Sequence, residues 1–280
     1  MNRIVDLFGV DIAANPDSNW DEIVAEQKCP FVGKRCFKVR KSQSEISIGT
    51  CTVRYGKQNE PVIICPNRLL ERRQIFTDCL HLLTGHEPGN ELHIVSEISV
   101  PGGSIDYLLV SARDRKARDF VGIELQTLDT TGTVWPERQR LMQKLGIDGD
   151  QGQIANKSYG MNWKMTAKTI LMQMHHKVQT FEHVNKHLVL VVQDRFLKYM
   201  KGEFTFDHLA NARTSDPAHF HSYNVEENIE GHRLKLTERL STDTDGISVC
   251  LGLQSETNVE LDQIFQKINA KISDLTLFSL

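Results

Sequence analysis

Long apolar runs are missing from this sequence. The longest, such as Leu188–Val192, fall far short of the roughly 18 residues a membrane span needs, so an α-helical membrane protein is excluded. An export signal is not expected either: the start, Met1-Asn2-Arg3-Ile4-Val5-Asp6, quickly meets an acidic residue and carries no apolar core segment. No internal repeat or low-complexity stretch is visible. A surplus of one charge is also lacking: 33 Lys+Arg face 36 Asp+Glu, a net charge of −3. That argues against nucleic-acid binding through the whole surface but leaves a local basic cleft open. What is present, 280 residues with 40% hydrophobic and 25% charged, is ordinary globular composition, enough for one large domain or two smaller ones.

Six cysteines without an export signal point to a reducing compartment, the cytosol, where clustered cysteines are more often metal ligands than disulfides. Four of them, Cys29, Cys36, Cys51 and Cys65, fall within a short stretch rich in basic and hydroxyl residues. The spacing is not the paired C-x2-C pattern of common zinc ribbons. The physical argument is stronger. A segment too poor in apolar residues to build a core needs a staple. Four thiolates on one tetrahedral ion supply on the order of 10–16 kcal/mol. Zinc or iron suits such a donor set. The bland alternative is a set of ordinary buried thiols. Cys79 and Cys250 read as core thiols. The expected organisation is a helical segment over 1–28, a four-cysteine metal-binding module over 29–66, and a core over 67–280.

Around Cys36 lie Lys34, Arg35, Lys38, Arg40 and Lys41, followed by Arg68, Arg72 and Arg73. In a net-acidic chain this local surplus is a candidate DNA-facing strip, with Lys38, Arg40, Lys41 and Arg72 as its contact residues. A solvated basic loop is the competing reading. Lys164 and Lys168 open a later helix, whose N-terminus favours anions. The eleven histidines show no H-E-x-x-H spacing and are expected to be surface or satisfied residues.

Periodicity predicts helices over 16–28 and 67–86, then strands over 92–100, 104–111 and 120–128. The clearest helix follows Trp163, with Ala167, Ile170, Leu171, Met174, Val178 and Phe181 on one stripe. His187–Val192 reads as a strand buried on both faces. A helix over 195–201, a strand over 246–253 and an amphipathic helix through Leu261, Ile264, Phe265, Ile268 and Ile272 complete the pattern. The class is α/β (α+β), a mixed central sheet flanked by helices.

The chemistry concentrates in Asp106 and Glu124-Leu125-Gln126. Glu124 and Gln126 share one strand face. A short turn joins the strands, so they pair antiparallel, and a turn symmetric about Arg115 sets Asp106 opposite Glu124. Facing carboxylates repel, more so among Ile105, Tyr107, Leu108, Ile123 and Leu125, and a Mg²⁺ ion would resolve the conflict. Glu97 lies across Pro101-Gly102-Gly103: a two-residue turn sets it beside Asp106, a four-residue loop leaves it diagonal. A solvated sheet face is the competing reading.

Asp106 and Glu124-Leu125-Gln126, followed by a long helix and a buried strand, resemble the PD-(D/E)XK nuclease superfamily, with Ile105 in place of its proline and Gln126 in place of its lysine. Together with Cys29-Pro30-Phe31, Ile64-Cys65-Pro66, Gly160-Met161-Asn162-Trp163-Lys164, Thr166-Ala167-Lys168-Thr169 and Leu190-Val191-Val192-Gln193-Asp194, they resemble the NotI group of type II restriction endonucleases over residues 29–200. The resemblance implies a restriction-endonuclease-like fold and Mg²⁺-dependent hydrolysis of double-stranded DNA. Asp106 and Glu124 would hold the metal, and Gln126, which cannot act as a base, would position water or phosphate. Glu97 could assist. The resemblance also implies a single structural iron on the four cysteines, a GC-rich palindromic site and a homodimer, with a cognate methyltransferase acting on the same site. The rival is a non-catalytic, metal-stapled DNA-binding protein with a decayed nuclease core.

Overall fold

The computed structural model describes residues 3–147, 154, 158–229, 231–253, 266 and 270. The chain begins with a small ladder of β1 (Asp6–Leu7) and β2 (Val10–Asp11), then α1 (Trp20–Glu26). Helix α1 is shorter than the predicted 16–28: the Asn19 side chain accepts from Glu22 N and sets its start. Two hairpins follow, β3 (Val39–Arg40) with β4 (Gln43–Ser47) and β5 (Thr52–Tyr55) with β6 (Glu60–Ile63).

The helix expected over 67–86 is broken. A tight helical stretch, Pro66–Arg73, loses helical geometry at Glu71 and Arg72, the short α2 (Gln74–Cys79) follows, and one more turn covers Leu80–Leu82. Tertiary burial breaks it. Arg68 is pulled inside, its Nη1 2.8 Å from Glu71 Oε2, its Nε 3.4 Å from Asp6 Oδ2, and its Nη2 donating to His232 O at 2.6 Å. This corrects the reading of Arg68 as part of a DNA-facing strip. The Arg68→Ala protein, in which buried Asp6 loses its ion partner and Glu71 keeps only Arg233, is expected to lose about 3 kcal/mol of stability. Urea titration checks this; an unchanged midpoint would refute it.

The strands β7 (Glu91–Val100), β8 (Gly103–Arg113) and β9 (Lys116–Gln126) form an antiparallel meander, matching the three predicted strands. After β10 (Thr130–Thr131), α3 (Trp135–Lys144) and β11 (Gly160–Met161) comes α4 (Trp163–His183), then β12 (His187–Gln193), α5 (Asp194–Glu203), β13 (Ala210–Asn211), β14 (Ala218–Asn228), β15 (Gly231–Thr242) and α6 (Thr244–Cys250). The central sheet runs β13-β15-β14-β12-β9-β8-β7. Strand β12 is parallel to both β9 and β14, connections that need crossovers, which α4 and α5 supply in turn. Every residue of β12 is buried, as its apolar run demands.

Helices α4, α5 and α6 pack on one sheet face through Ile170, Met174, Phe181, Phe196 and Ile247. Leu69, Ile75, Phe76 and Leu82 cover the other, over Val189 and Val191. The expected strand over 246–253 is instead helix α6. The Asp243 side chain caps it by accepting from Gly246 N at 2.8 Å, and Ile247 and Cys250 point into the core one turn apart. The amphipathic helix expected through Leu261 and Ile272 lies outside the described residues. Among the described residues no helix is long and apolar enough to cross a membrane.

Candidate active site and cysteine cluster

The turn between β7 and β8 is Pro101-Gly102, with Val100 paired to Gly103. Gly102 and Gly103 take φ of 93° and 137°, open to glycine. A Cβ on Gly102 would fall 2.8 Å from His176 O, so only glycine lets this turn lie against α4. The two-residue turn sets Glu97 across from Asp106, between the pairs Ser96↔Tyr107 and Ile98↔Ile105. Glu97 is exposed and has a φ of 58°.

The next hairpin turns at Asp114-Arg115, with φ of 52° and 61°, and Arg113 pairs with Lys116. That turn alone would offset the register by one residue. An irregularity between Ser111 and Ala112 restores it, and the ladder runs to Tyr107↔Ile123. Asp106 and Glu124 are the next positions, as the sequence anticipates, but the register comes from a turn plus a bulge rather than from symmetry about Arg115.

Asp106 is half-buried and its Oδ2 accepts from Leu125 N at 2.8 Å. Burial holds its pKa above the usual carboxylate range; the Leu125 hydrogen bond and Lys177 oppose this, and Glu97 adds to it. Glu124 is 5% exposed. Burial pushes its pKa to about 7; the Lys177 hydrogen bond opposes that and the Asp106 charge reinforces it. Gln126 turns its amide into its own strand, Nε2 donating to Thr127 O at 2.6 Å.

The residue that sequence reasoning missed is Lys177. Its Nζ lies 2.7 Å from Glu124 Oε1, with both side chains almost fully buried. The signal was present: Lys177 sits three residues after Met174, on the apolar stripe of α4. Two carboxylates of adjacent strands, one poised near neutrality, fit a divalent cation that takes one or two carboxylates and completes its shell with water and phosphate oxygens.

All four candidate ligand thiols are buried. Cys29 and Cys36 flank a small loop closed by the Lys28↔Arg35 bridge. Cys51 and Cys65 flank the β5–β6 hairpin, where Ile64 N donates to Cys51 O at 2.9 Å. The four are neighbours. Cys51 hydrogen-bonds with Cys65, which raises Cys51 and lowers Cys65, and Cys36 feels both Cys65 and Cys29. Among the described residues no group of three or more His, Cys, Asp or Glu is set to hold a metal ion. The four thiols have the donor chemistry of a tetrahedral thiolate site, but their side chains are not gathered around one point. Cys29 and Cys36 share a small core with Leu7, Phe8, Trp20 and Leu141, while Val53, Val62 and Ile64 pack into the main core. Cys79 and Cys250 are core thiols.

The basic loop lies beside the exit of β9. Lys38, whose Nζ donates to Ile64 O, lines a cavity of about 390 Å³ with Leu128, Asp129 and Thr133. The guanidinium of Arg40 stacks 4.6 Å from the Trp135 ring. Lys41 and Arg72 are exposed. Lys164 pairs with Glu203 instead of standing alone at the α4 N-terminus. Buried His187 and His232 are satisfied, as expected, by Asp216 O and Asp11 Oδ2. Two histidines depart from the expectation: His219 and His221 are buried, and His219 Nδ1 and His221 Nε2 have no hydrogen-bond partner among the described residues.

A search of curated proteins returned no match. The family described as restriction endonuclease NotI matches residues 22–236. That stretch carries the four cysteines, the Asp106–Glu124 pair, α4 and the parallel strand β12, and it is more than half of the 280 residues. The chain belongs to the NotI restriction endonuclease family.

Proposed function

We propose that this chain is a type II restriction endonuclease of PD-(D/E)XK type that hydrolyses phosphodiester bonds of double-stranded DNA at a specific GC-rich palindrome, in the prokaryotic cytosol. Membership of the restriction endonuclease family supports site-specific DNA cleavage. The observation that carries the chemistry is the juxtaposition of Asp106 and Glu124 on adjacent antiparallel strands, with burial raising Glu124 to about 7. Asp106 and Glu124 would hold Mg²⁺, with the Leu125 carbonyl as a further donor and Glu97 at the rim. Bound there, Mg²⁺ lowers the pKa of water and offsets phosphate charge. Asp106 is oriented by the Leu125 N–H, and Glu124 by Lys177. Gln126 positions water or phosphate through hydrogen bonds.

Cutting both strands of a palindrome requires two such sites related by a two-fold axis, so the acting form is a homodimer. Lys38, Arg40, Lys41 and Arg72 contact the duplex near the exit of β9. One structural iron or zinc ion on Cys29, Cys36, Cys51 and Cys65 fixes that loop. A methyltransferase protecting the same site need not bind this chain.

Digestion of mixed-sequence plasmid DNA, with fragment ends sequenced, tests the reading. Discrete palindromic cuts are expected with Mg²⁺ and none without it. The Mg²⁺ concentration for half-maximal cutting should rise as pH falls from 8 to 6. The reason is that Glu124 holds its proton below about 7 and a protonated carboxyl binds the cation poorly. Absence of discrete cuts at any pH favours the decayed-core alternative.

A further inference from the structure

We propose that Lys177 is a catalytic residue of the nuclease site, its ammonium contacting a non-bridging oxygen of the scissile phosphate from helix α4. This rests on the nuclease reading above and adds a positively charged side chain, which that reading lacks. A phosphodiester is an anion, and its charge grows at the attacked phosphorus. Asp106, Glu124 and Glu97 repel it. Gln126 is neutral, and its amide donates to Thr127 O. Lys177 is the only charged residue on the buried face of α4 among its described residues, in line with Ile170, Met174, Val178 and Phe181. The Pro101-Gly102 turn leaves room for it: a Cβ on Gly103 would sit 3.1 Å from Lys177 Cε. The side chain therefore runs beside the turn to the carboxylates, with Nζ 2.7 Å from Glu124 Oε1, and its field reaches Asp106.

A buried ion pair is weak evidence for stability, because apolar residues of the same volume serve a fold as well. A fixed ammonium beside developing phosphate charge is a recurrent source of rate, since its orientation is set before the reaction. In the step itself, water oxygen bonds to phosphorus and gives up a proton to solvent, the bond from phosphorus to the leaving sugar oxygen breaks, and that oxygen takes up a proton from solvent.

The test measures single-turnover cleavage of mixed-sequence plasmid DNA and, separately, Mn²⁺ binding to the DNA-free protein by calorimetry. Lys177→Met is expected to cut at least about 100-fold more slowly while binding Mn²⁺ within about threefold of wild type. Gln126→Lys added to Lys177→Met should recover about tenfold, as a charge returned from the neighbouring strand. Lys177→Arg keeps the pairing with Glu124 and guards against loss of the fold; it is expected to bind Mn²⁺ normally and cut about tenfold more slowly. Cutting by either single variant at the wild-type rate overturns the proposal. So does loss of Mn²⁺ binding together with cutting, which marks Lys177 as a structural prop. A wild type that neither binds Mn²⁺ nor cuts brings down the nuclease reading itself, a failure the variants alone would not produce.

Discussion

The Asp106→Asn protein is expected to lose DNA cleavage on the order of 1,000-fold while melting about 2 °C higher than wild type at pH 8. The two effects share one cause. Asp106 contributes a carboxylate that burial disfavours and that faces Glu124. Its folded pKa lies above its unfolded value, so the folded state binds that proton more tightly. The penalty for ionising it is absent below the unfolded value and fully present above the folded one, so the gain on removing the charge grows as pH rises. Asparagine keeps the amide oxygen that accepts from Leu125 N and drops the charge. Glu124, relieved of a like-charged neighbour, then ionises more easily. A purely structural carboxylate would behave otherwise: its removal would leave cleavage within about tenfold. Single-turnover cleavage and thermal melting of the same preparation decide the matter. Cleavage retained at that level removes Asp106 from the catalytic site.

The second large effect is expected at Cys65. Wild-type protein never exposed to chelator should carry at least about half an equivalent of iron plus zinc, and Cys65→Ser should carry far less and melt more than about 10 °C lower. Cys65 is the thiol best prepared to lose its proton. The hydrogen bond from Cys51 holds it low against burial, and Lys38 assists. On the proposed four-thiolate site, losing one ligand would release an ion tying the Cys29–Cys36 loop to the β5–β6 hairpin. The small core of Leu7, Phe8 and Trp20 would then be left without its staple. Elemental analysis with a melting curve checks this, and visible absorption separates iron from colourless zinc. A metal-free wild type, or a Cys65→Ser protein melting like wild type, sinks the ligand assignment.

The regular parts of the fold were legible in local sequence. Alternation marked β7, β8 and β9, the 3.6-residue stripe marked α4, and an unbroken apolar run marked β12. The 246–253 segment misled because Ile247, Val249 and Leu251 alternate like a strand, while the Asp243 cap starts a helix there. The 67–86 segment misled because its helical spacing ignored where Arg68 had to go. The first error comes from a local cap outweighing the alternation, the second from tertiary contacts overriding a local pattern.

By itself the sequence determined the site's inventory: two facing carboxylates, a glutamine beside them, four clustered thiols and a basic loop. Strand parity is a local constraint that fixes which residues share a face, while the facing of Asp106 and Glu124 needed the irregularity between Ser111 and Ala112. Only the tertiary structure decided which charges work together. Arg68 left the candidate DNA strip to neutralise Asp6 and Glu71, 62 residues away from Asp6 in the chain for the hydrogen bond it makes. Lys177 came from α4 to pair with Glu124 across 53 residues. Buried charges must find partners wherever the fold places them, and chain proximity does not reveal those partners.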